Sequence, residues 1–142
     1  MLAFLNKIFL TAPDAPPMQD AEKAKSIFYS LRWRVFASIT IGYSFYYIIR
    51  QSYSVIKKPL LASGAVDPTQ VGIIGSIFFV TYGLGKFTNS FLADRMNNKR
   101  FFAFGLFMSS VTMAAMGIVN SFIPLAVLWG INGWFQSYGA GP

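Results

Sequence analysis

The sequence contains no cysteine and no histidine. The first absence removes disulfides and thiolate metal sites. The second removes the commonest general base and metal ligand. Acids are scarce too, with five Asp and Glu against twelve Lys and Arg. No pair of carboxylates falls within the apolar runs. An enzyme is therefore not expected, and neither is a metal or organic cofactor. Charge of either sign makes up only 12% of the chain, about half the fraction of a soluble domain.

Apolar residues fill the gap. They account for 54% of the 142 residues, with 15 Phe and a mean hydropathy of +0.48. One small core cannot hide so many phenylalanines, so lipid is the expected solvent. The net charge of +7 raises nucleic acid as a partner. A nucleic-acid binder clusters its basic residues on one soluble face. Here they sit in short segments between apolar runs, the pattern of membrane topology, and no nucleic acid is expected.

Residues 1–34 read as a cytoplasmic tail. It has a Pro-rich linker over 12–17 and room for a short interfacial helix. The first apolar run, 35–49, makes only about 22 Å of helix, short of the ~30 Å hydrocarbon core. Extending it through Arg50 to Ile56 gives about 33 Å. Arg50 thus belongs inside the span. Likewise 71–85 continues through Lys86 to Ala93. A third run covers about 101–119 without any charge, and a fourth covers 122–142. No polar tail closes the fourth, which leads to the expectation of a fragment of a longer protein. The fold class expected is an all-α membrane protein with about four transmembrane helices.

Lys7, Lys23, Lys25, Arg32 and Arg34 in the tail, with Arg95, Lys99 and Arg100 after the second span, oppose only Lys57 and Lys58 after the first. The positive-inside rule places the N-terminus in the cytoplasm. Gly72, Gly75, Gly83 and Gly85 in the second run, with Gly130, Gly133, Gly139 and Gly141 in the fourth, read as helix-packing positions.

Arg50 and Lys86 are the candidate functional cations, because intramembrane charges are costly. At ~100° per residue, Tyr43, Tyr46, Tyr47, Arg50 and Tyr53 share a face of the first helix. Gly75, Phe79, Tyr82, Lys86 and Asn89 do so on the second, and Trp129, Asn132, Gly133 and Gln136 on the fourth. Together they suggest a water-filled cavity with a basic, phenol-lined wall. No intramembrane acid offsets the cations, which leaves them for an anion. A phosphate suits them: Arg can grip it bidentately, Lys adds a point charge, and tyrosine hydroxyls donate further bonds. Arg50 and Lys86 differ in depth by about 12 Å, so Lys86 is expected to neighbour the path rather than share one phosphate with Arg50.

The loop in "YGLGKFTNSFLADRMNNKRFF" carries an acid and several bases at a cytoplasmic turn. It resembles the Gly-x-x-x-Asp-Arg-x-Gly-Arg-Arg/Lys pattern of the major facilitator superfamily. Asp94, Arg95 and Lys99 match. Ser90 and Asn97 replace the two glycines and Asn98 a basic residue. The change at Asn97 is expected to be mild, because Asn tolerates a left-handed backbone. The departures look like the organophosphate:phosphate antiporter branch. Its members share Gly42, Tyr43, Tyr46, Tyr47 and Arg50 in the first helix. They also share Tyr82, Gly83, Lys86, Phe87, Asp94, Arg95 and Asn97 around the second, and Asn132 and Gln136 in the fourth. The tail "FL…APDAPPM" looks most like the hexose-phosphate sensor and transporter subgroup.

That resemblance implies the first part of a twelve-helix fold in two halves, in a bacterial inner membrane. It implies exchange of a sugar phosphate (hexose phosphate or glycerol phosphate) for inorganic phosphate by alternating access. Arg50 and Lys86, with Tyr43, Tyr47 and Tyr82, would bind substrate, while Tyr46, Asn132 and Gln136 would line the pore. Asp94, Arg95 and Lys99 would form a cytoplasmic gate. A second Arg of the phosphate site and the remaining helices would lie beyond residue 142. The alternative is a membrane receptor for external hexose phosphate that signals to a sensor kinase. A four-helix protein complete at residue 142 is a third possibility, against which the unclosed fourth run speaks.

Overall fold

The computed structural model describes residue 16 and residues 20–139. Four α-helices follow one another: α1 (Ala21–Ala62), α2 (Pro68–Ala93), α3 (Asn98–Met116) and α4 (Phe122–Gln136), closed by a 3-10 turn over Ser137–Gly139. The architecture is all-α. The Pro-rich linker and interfacial helix expected of the tail lie outside the described residues, as does Gly141.

Helix α1 starts well before the apolar run. Asp20 caps it, its Oδ1 accepting from the backbone N–H of Glu22 at 3.1 Å and of Lys23 at 3.2 Å. The following AEKAK is built of strong helix formers. Apolar patterning marks where a helix meets lipid, whereas capping and propensity mark where it starts, so α1 takes in residues 21–34 of the expected tail. The helix also continues past Lys57 and Lys58, ending where Gly64 takes φ 68°, a conformation open to glycine. Helix α2 opens on a capping box: Asp67 accepts from Gln70 N–H at 2.8 Å, and Gln70 Oε1 accepts from Asp67 N–H at 3.0 Å. Asn97 caps α3 with φ −69° and ψ 103°. It is extended rather than left-handed, which corrects the reason expected for its place in the loop. The Asn97 side chain accepts there from the Arg100 backbone N–H at 3.3 Å, a bond that glycine, without a side chain, cannot make. Helix α3 accordingly begins at Asn98 and stops at Met116, a few residues earlier at each end than the uncharged run.

Packing centres on α4, which lies against both α2 and α3. Gly133 permits the α2 approach. A Cβ there would lie 2.7 Å from the Phe78 carbonyl oxygen and 2.5 Å from Thr81 Oγ1. Gly105 plays that part in α3, where a Cβ would overlap Tyr138 and the Tyr46 hydroxyl. At Gly72, Gly75 and Gly83 no described atom lies within 4 Å of a Cβ position, so they take no part in the packing among the described residues. The apolar core gathers Tyr53 and Leu60 of α1, Ile74 and Phe78 of α2, Met116 of α3, and Leu125, Ala126 and Trp129 of α4.

Outward faces are apolar as well. Phe36 and Ile48 on α1, Phe79 and Phe87 on α2, Phe107 on α3 and Ile123 on α4 are all at least half exposed. Among the described residues one helix, α2, is long and apolar enough to cross a membrane by length and composition. Its best window has a hydropathy of 1.4 and is only 17% buried, unlike the core helix of a soluble protein. So much outward apolar surface calls for a second apolar medium or further helices.

Candidate functional site

Four aromatic rings from three helices form a column. Tyr53 of α1 stacks on Trp129 of α4 with centroids 4.6 Å apart, and Trp129 stacks on Phe78 of α2, also at 4.6 Å. Phe78 then lies parallel to Tyr82 at 6.0 Å. The guanidinium of Arg50 rides on this column. Its central carbon is 4.7 Å from the Tyr82 centroid, 5.3 Å from Phe78 and 5.5 Å from Tyr47. Aromatic faces stabilise a cation through their quadrupoles without cancelling its charge. No carboxylate pairs with Arg50 among the described residues, and the side chain is half-buried.

Behind the cage runs a chain of buried amides and hydroxyls. Arg50 Nε donates to Gln136 Oε1 at 3.0 Å. Gln136 Nε2 donates to Asn132 Oδ1 at 2.9 Å. Asn132 Nδ2 donates to Thr112 Oγ1 and to the Ser109 carbonyl, both at 2.8 Å. Ser109 Oγ donates to Asn132 Oδ1 at 3.3 Å. Asn132 is fully buried and Gln136 is 2% exposed. Every buried polar side-chain atom among the described residues has a partner. A satisfied buried network of this kind holds its members in one arrangement.

The site residues expected from sequence divide into groups. Arg50, Tyr47 and Tyr82 come together in the cage. Tyr43 meets the Tyr47 ring edge-on at 5.3 Å and lies within electrostatic reach of Tyr82 and Arg50. Asn132 and Gln136 stand behind Arg50, inside the protein, not on an open wall. Tyr46 turns away from the cage. It is 3% exposed, and its hydroxyl donates to the Phe102 carbonyl at 2.9 Å, so it fills the α1–α3 seam. Lys86 is exposed, one turn beyond Tyr82 on α2, and makes no contact with Arg50. Asp94, Arg95 and Lys99 are exposed at the α2–α3 turn, and no ion pair joins them to one another or to other described residues.

Three residues of the arrangement escaped the sequence reading. Phe78, rather than Phe79, faces Arg50, while Phe79 is 68% exposed. The i, i+4 spacing of Phe78 and Tyr82 was the available signal. Ser109 and Thr112 are hydroxyls at i, i+3 within an uncharged run, a pattern that marks one polar face. Among the described residues, no cluster of acids is placed to hold a metal. The arrangement offers a fixed, uncompensated guanidinium flanked by phenols, which is chemistry for an oxyanion.

Comparison with known proteins gives the context. The model of the Major Facilitator Superfamily matches residues 39–141. A probable hexose phosphate transport protein of Chlamydia trachomatis is 39% identical over 137 residues, 96% of this chain and 30% of that protein. The hexose-6-phosphate:phosphate antiporter of Escherichia coli is 32% identical over 145 residues, 98% of this chain and 30% of its own length. The membrane sensor protein UhpC of Escherichia coli is 32% identical over 133 residues, 93% of this chain and 30% of its own length. The chain thus spans about 30% of the length of these curated relatives. No solved structure matches it.

Proposed function

Because the chain belongs to the major facilitator superfamily, we propose that it forms the N-terminal part of a secondary transporter. The transporter exchanges a sugar phosphate or glycerol phosphate for inorganic phosphate by alternating access. Helices α1 to α4 are its first four spans, in a bacterial inner membrane with the N-terminus in the cytoplasm. The remaining helices complete a twelve-helix fold. The observation that carries the reading is Arg50: a half-buried guanidinium in an aromatic cage, without a carboxylate among the described residues. Such a charge favours an anionic cargo.

Arg50 is the principal phosphate ligand, and Tyr43, Tyr47 and Tyr82 supply hydroxyls at its edge. Lys86 raises the positive potential along the path without sharing the same phosphate. Asp94, Arg95 and Lys99 form a gate at the cytoplasmic turn in another conformation, where their charges find partners.

The test is exchange of radiolabelled phosphate by the complete protein in liposomes. Arg50→Lys keeps the charge but loses the planar fork, so phosphate affinity should fall about tenfold or more, as loss of a charge-assisted hydrogen bond implies. Normal affinity in that variant would show that Arg50 is not the phosphate ligand.

One observation favours a second reading. The sensor relative is as similar to the chain as the antiporter relative, 32% in each case. A receptor would use the same cage to bind external hexose phosphate and would signal to a partner kinase. Deletion then should abolish sugar-phosphate-induced transcription while leaving uptake intact. Loss of uptake with induction preserved selects the transporter.

A further inference from the structure

The phosphate reading leaves open which edge of the Arg50 guanidinium meets the ligand, and the buried chain behind it answers. Thr112 Oγ1 donates its single proton to a backbone carbonyl of its own helix, Ser109 O at 2.9 Å or Met108 O at 3.1 Å. Its lone pair therefore faces Asn132, which must present its NH2 group. The Ser109 carbonyl, which can only accept, imposes the same choice. Asn132 Oδ1 is then turned toward Gln136, whose NH2 must face it. Gln136 in turn offers Oε1 to Arg50, which can only donate. Both ends of the chain demand the same polarity, so the amides have one arrangement without conflict.

Nε is the atom of Arg50 that this chain occupies. Neither Nη group donates to any described residue. Tyr47, Phe78 and Tyr82 meanwhile hold the guanidinium from its ring-facing sides. We propose that Gln136, Asn132, Thr112 and Ser109 are positioning residues. They pin Arg50 through Nε so that its terminal Nη1–Nη2 edge meets the tetrahedral oxyanion end-on and bidentately. This rests on the reading of Arg50 as a phosphate ligand. It adds that α3, which supplies no ligand, sets the affinity through hydroxyls about 20 residues before the α4 amides. The paired Nη groups match two oxygens along one edge of a phosphate group, the group that both proposed substrates share.

The consequence is specific. Inorganic phosphate and the phosphorylated organic substrate share the group that Arg50 grips. Loosening Arg50 should weaken both by the same factor. The experiment measures equilibrium binding of inorganic phosphate and of glucose 6-phosphate to the complete protein. It is carried out on detergent-purified protein that elutes as a single folded species.

Thr112→Val removes the acceptor for Asn132 and should lower both affinities about tenfold. Thr112→Ser retains the hydroxyl and should restore them. Gln136→Glu sets a carboxylate against Nε, neutralises the site and should cost more than tenfold for both ligands. If Thr112→Val or Gln136→Glu fails to fold, Ser109→Ala supplies the readout, with a smaller, equal loss for both ligands. A loss of thermal stability with both affinities within twofold of normal would reduce the chain to packing and overturn the proposal. So would an effect on glucose 6-phosphate alone. In either case, reduced binding by Arg50→Lys leaves the phosphate reading standing. If Arg50→Lys binds phosphate normally, that reading is what fails.

Discussion

The central carbon of the Arg50 guanidinium lies 4.7 Å from the centre of the Tyr82 ring. The contact joins α1 to α2 by a charge over an aromatic face, and the tyrosine hydroxyl takes no part in it. Ring and hydroxyl can therefore be tested apart. Tyr82→Leu should weaken phosphate binding about two- to thirty-fold, the span of a cation–π contact. Tyr82→Phe keeps the ring and loses only the hydroxyl's bond to phosphate, so it should lose less affinity than Tyr82→Leu. Equal losses in the two variants would place the effect in the hydroxyl and not in the ring.

Tyr46 and Tyr47 are neighbours in sequence with different work. Tyr46→Phe deletes one buried hydrogen bond to the Phe102 carbonyl and should cost about 1 kcal/mol of stability. Phosphate affinity should stay unchanged. Thermal unfolding and binding measured on one preparation would check this. A clear loss of affinity in Tyr46→Phe would put that residue in the site after all.

Gly133 and Gly72 should respond in opposite ways to alanine. At Gly133 a Cβ would meet the Phe78 backbone 2.7 Å away, so α2 and α4 must part, at a cost of about 1–3 kcal/mol. Phe78 also faces Arg50, so phosphate binding should weaken too. At Gly72 nothing lies within 4 Å, and alanine should raise stability by about 0.4–1 kcal/mol through the unfolded chain. Destabilisation by Gly72→Ala would reveal a neighbour packed against that face.

Residues 1–142 hold no cysteine, so single cysteines placed there report orientation in a cysteine-free background of the complete protein. Ser121→Cys sits at an exposed cap without a side-chain hydrogen bond, and Asn98→Cys is exposed at the opposite turn. With the N-terminus in the cytoplasm, a membrane-impermeant maleimide should label Ser121→Cys in intact spheroplasts. It should reach Asn98→Cys only after permeabilisation. The reverse pattern would invert the topology.

Much of the fold was legible before any coordinates. Helical runs, their approximate limits and the all-α architecture of the described residues follow from composition and periodicity. Limits were least legible where lipid is not the deciding factor. Asp20 and Asn97 set the starts of α1 and α3 by capping, a local backbone effect that apolar counting does not see. The structure clusters Arg50, Tyr47, Tyr82, Asn132 and Gln136, which spacing singles out because 3.6-residue periodicity sorts residues by face. Phe78 was missed because, at ~100° per residue, Phe78 and Phe79 lie about 40° and about 60° to either side of Tyr82, so either can share its face.

The sequence alone determined that an uncompensated arginine sits within an apolar run. It follows from length, because a helix begun at residue 35 must include residue 50 to reach across a hydrocarbon core, and from the lack of acids in those runs. Tertiary structure decided what that arginine does with its atoms. Residues 50, 82, 109, 112, 132 and 136 come from four helices, and no periodicity within one helix relates their azimuths or depths. Only packing, permitted by the bare faces of Gly133 and Gly105, brings the column, the guanidinium and the amide chain together. Hydrogen-bond polarity then orients them, because a hydroxyl has one proton and a guanidinium accepts none.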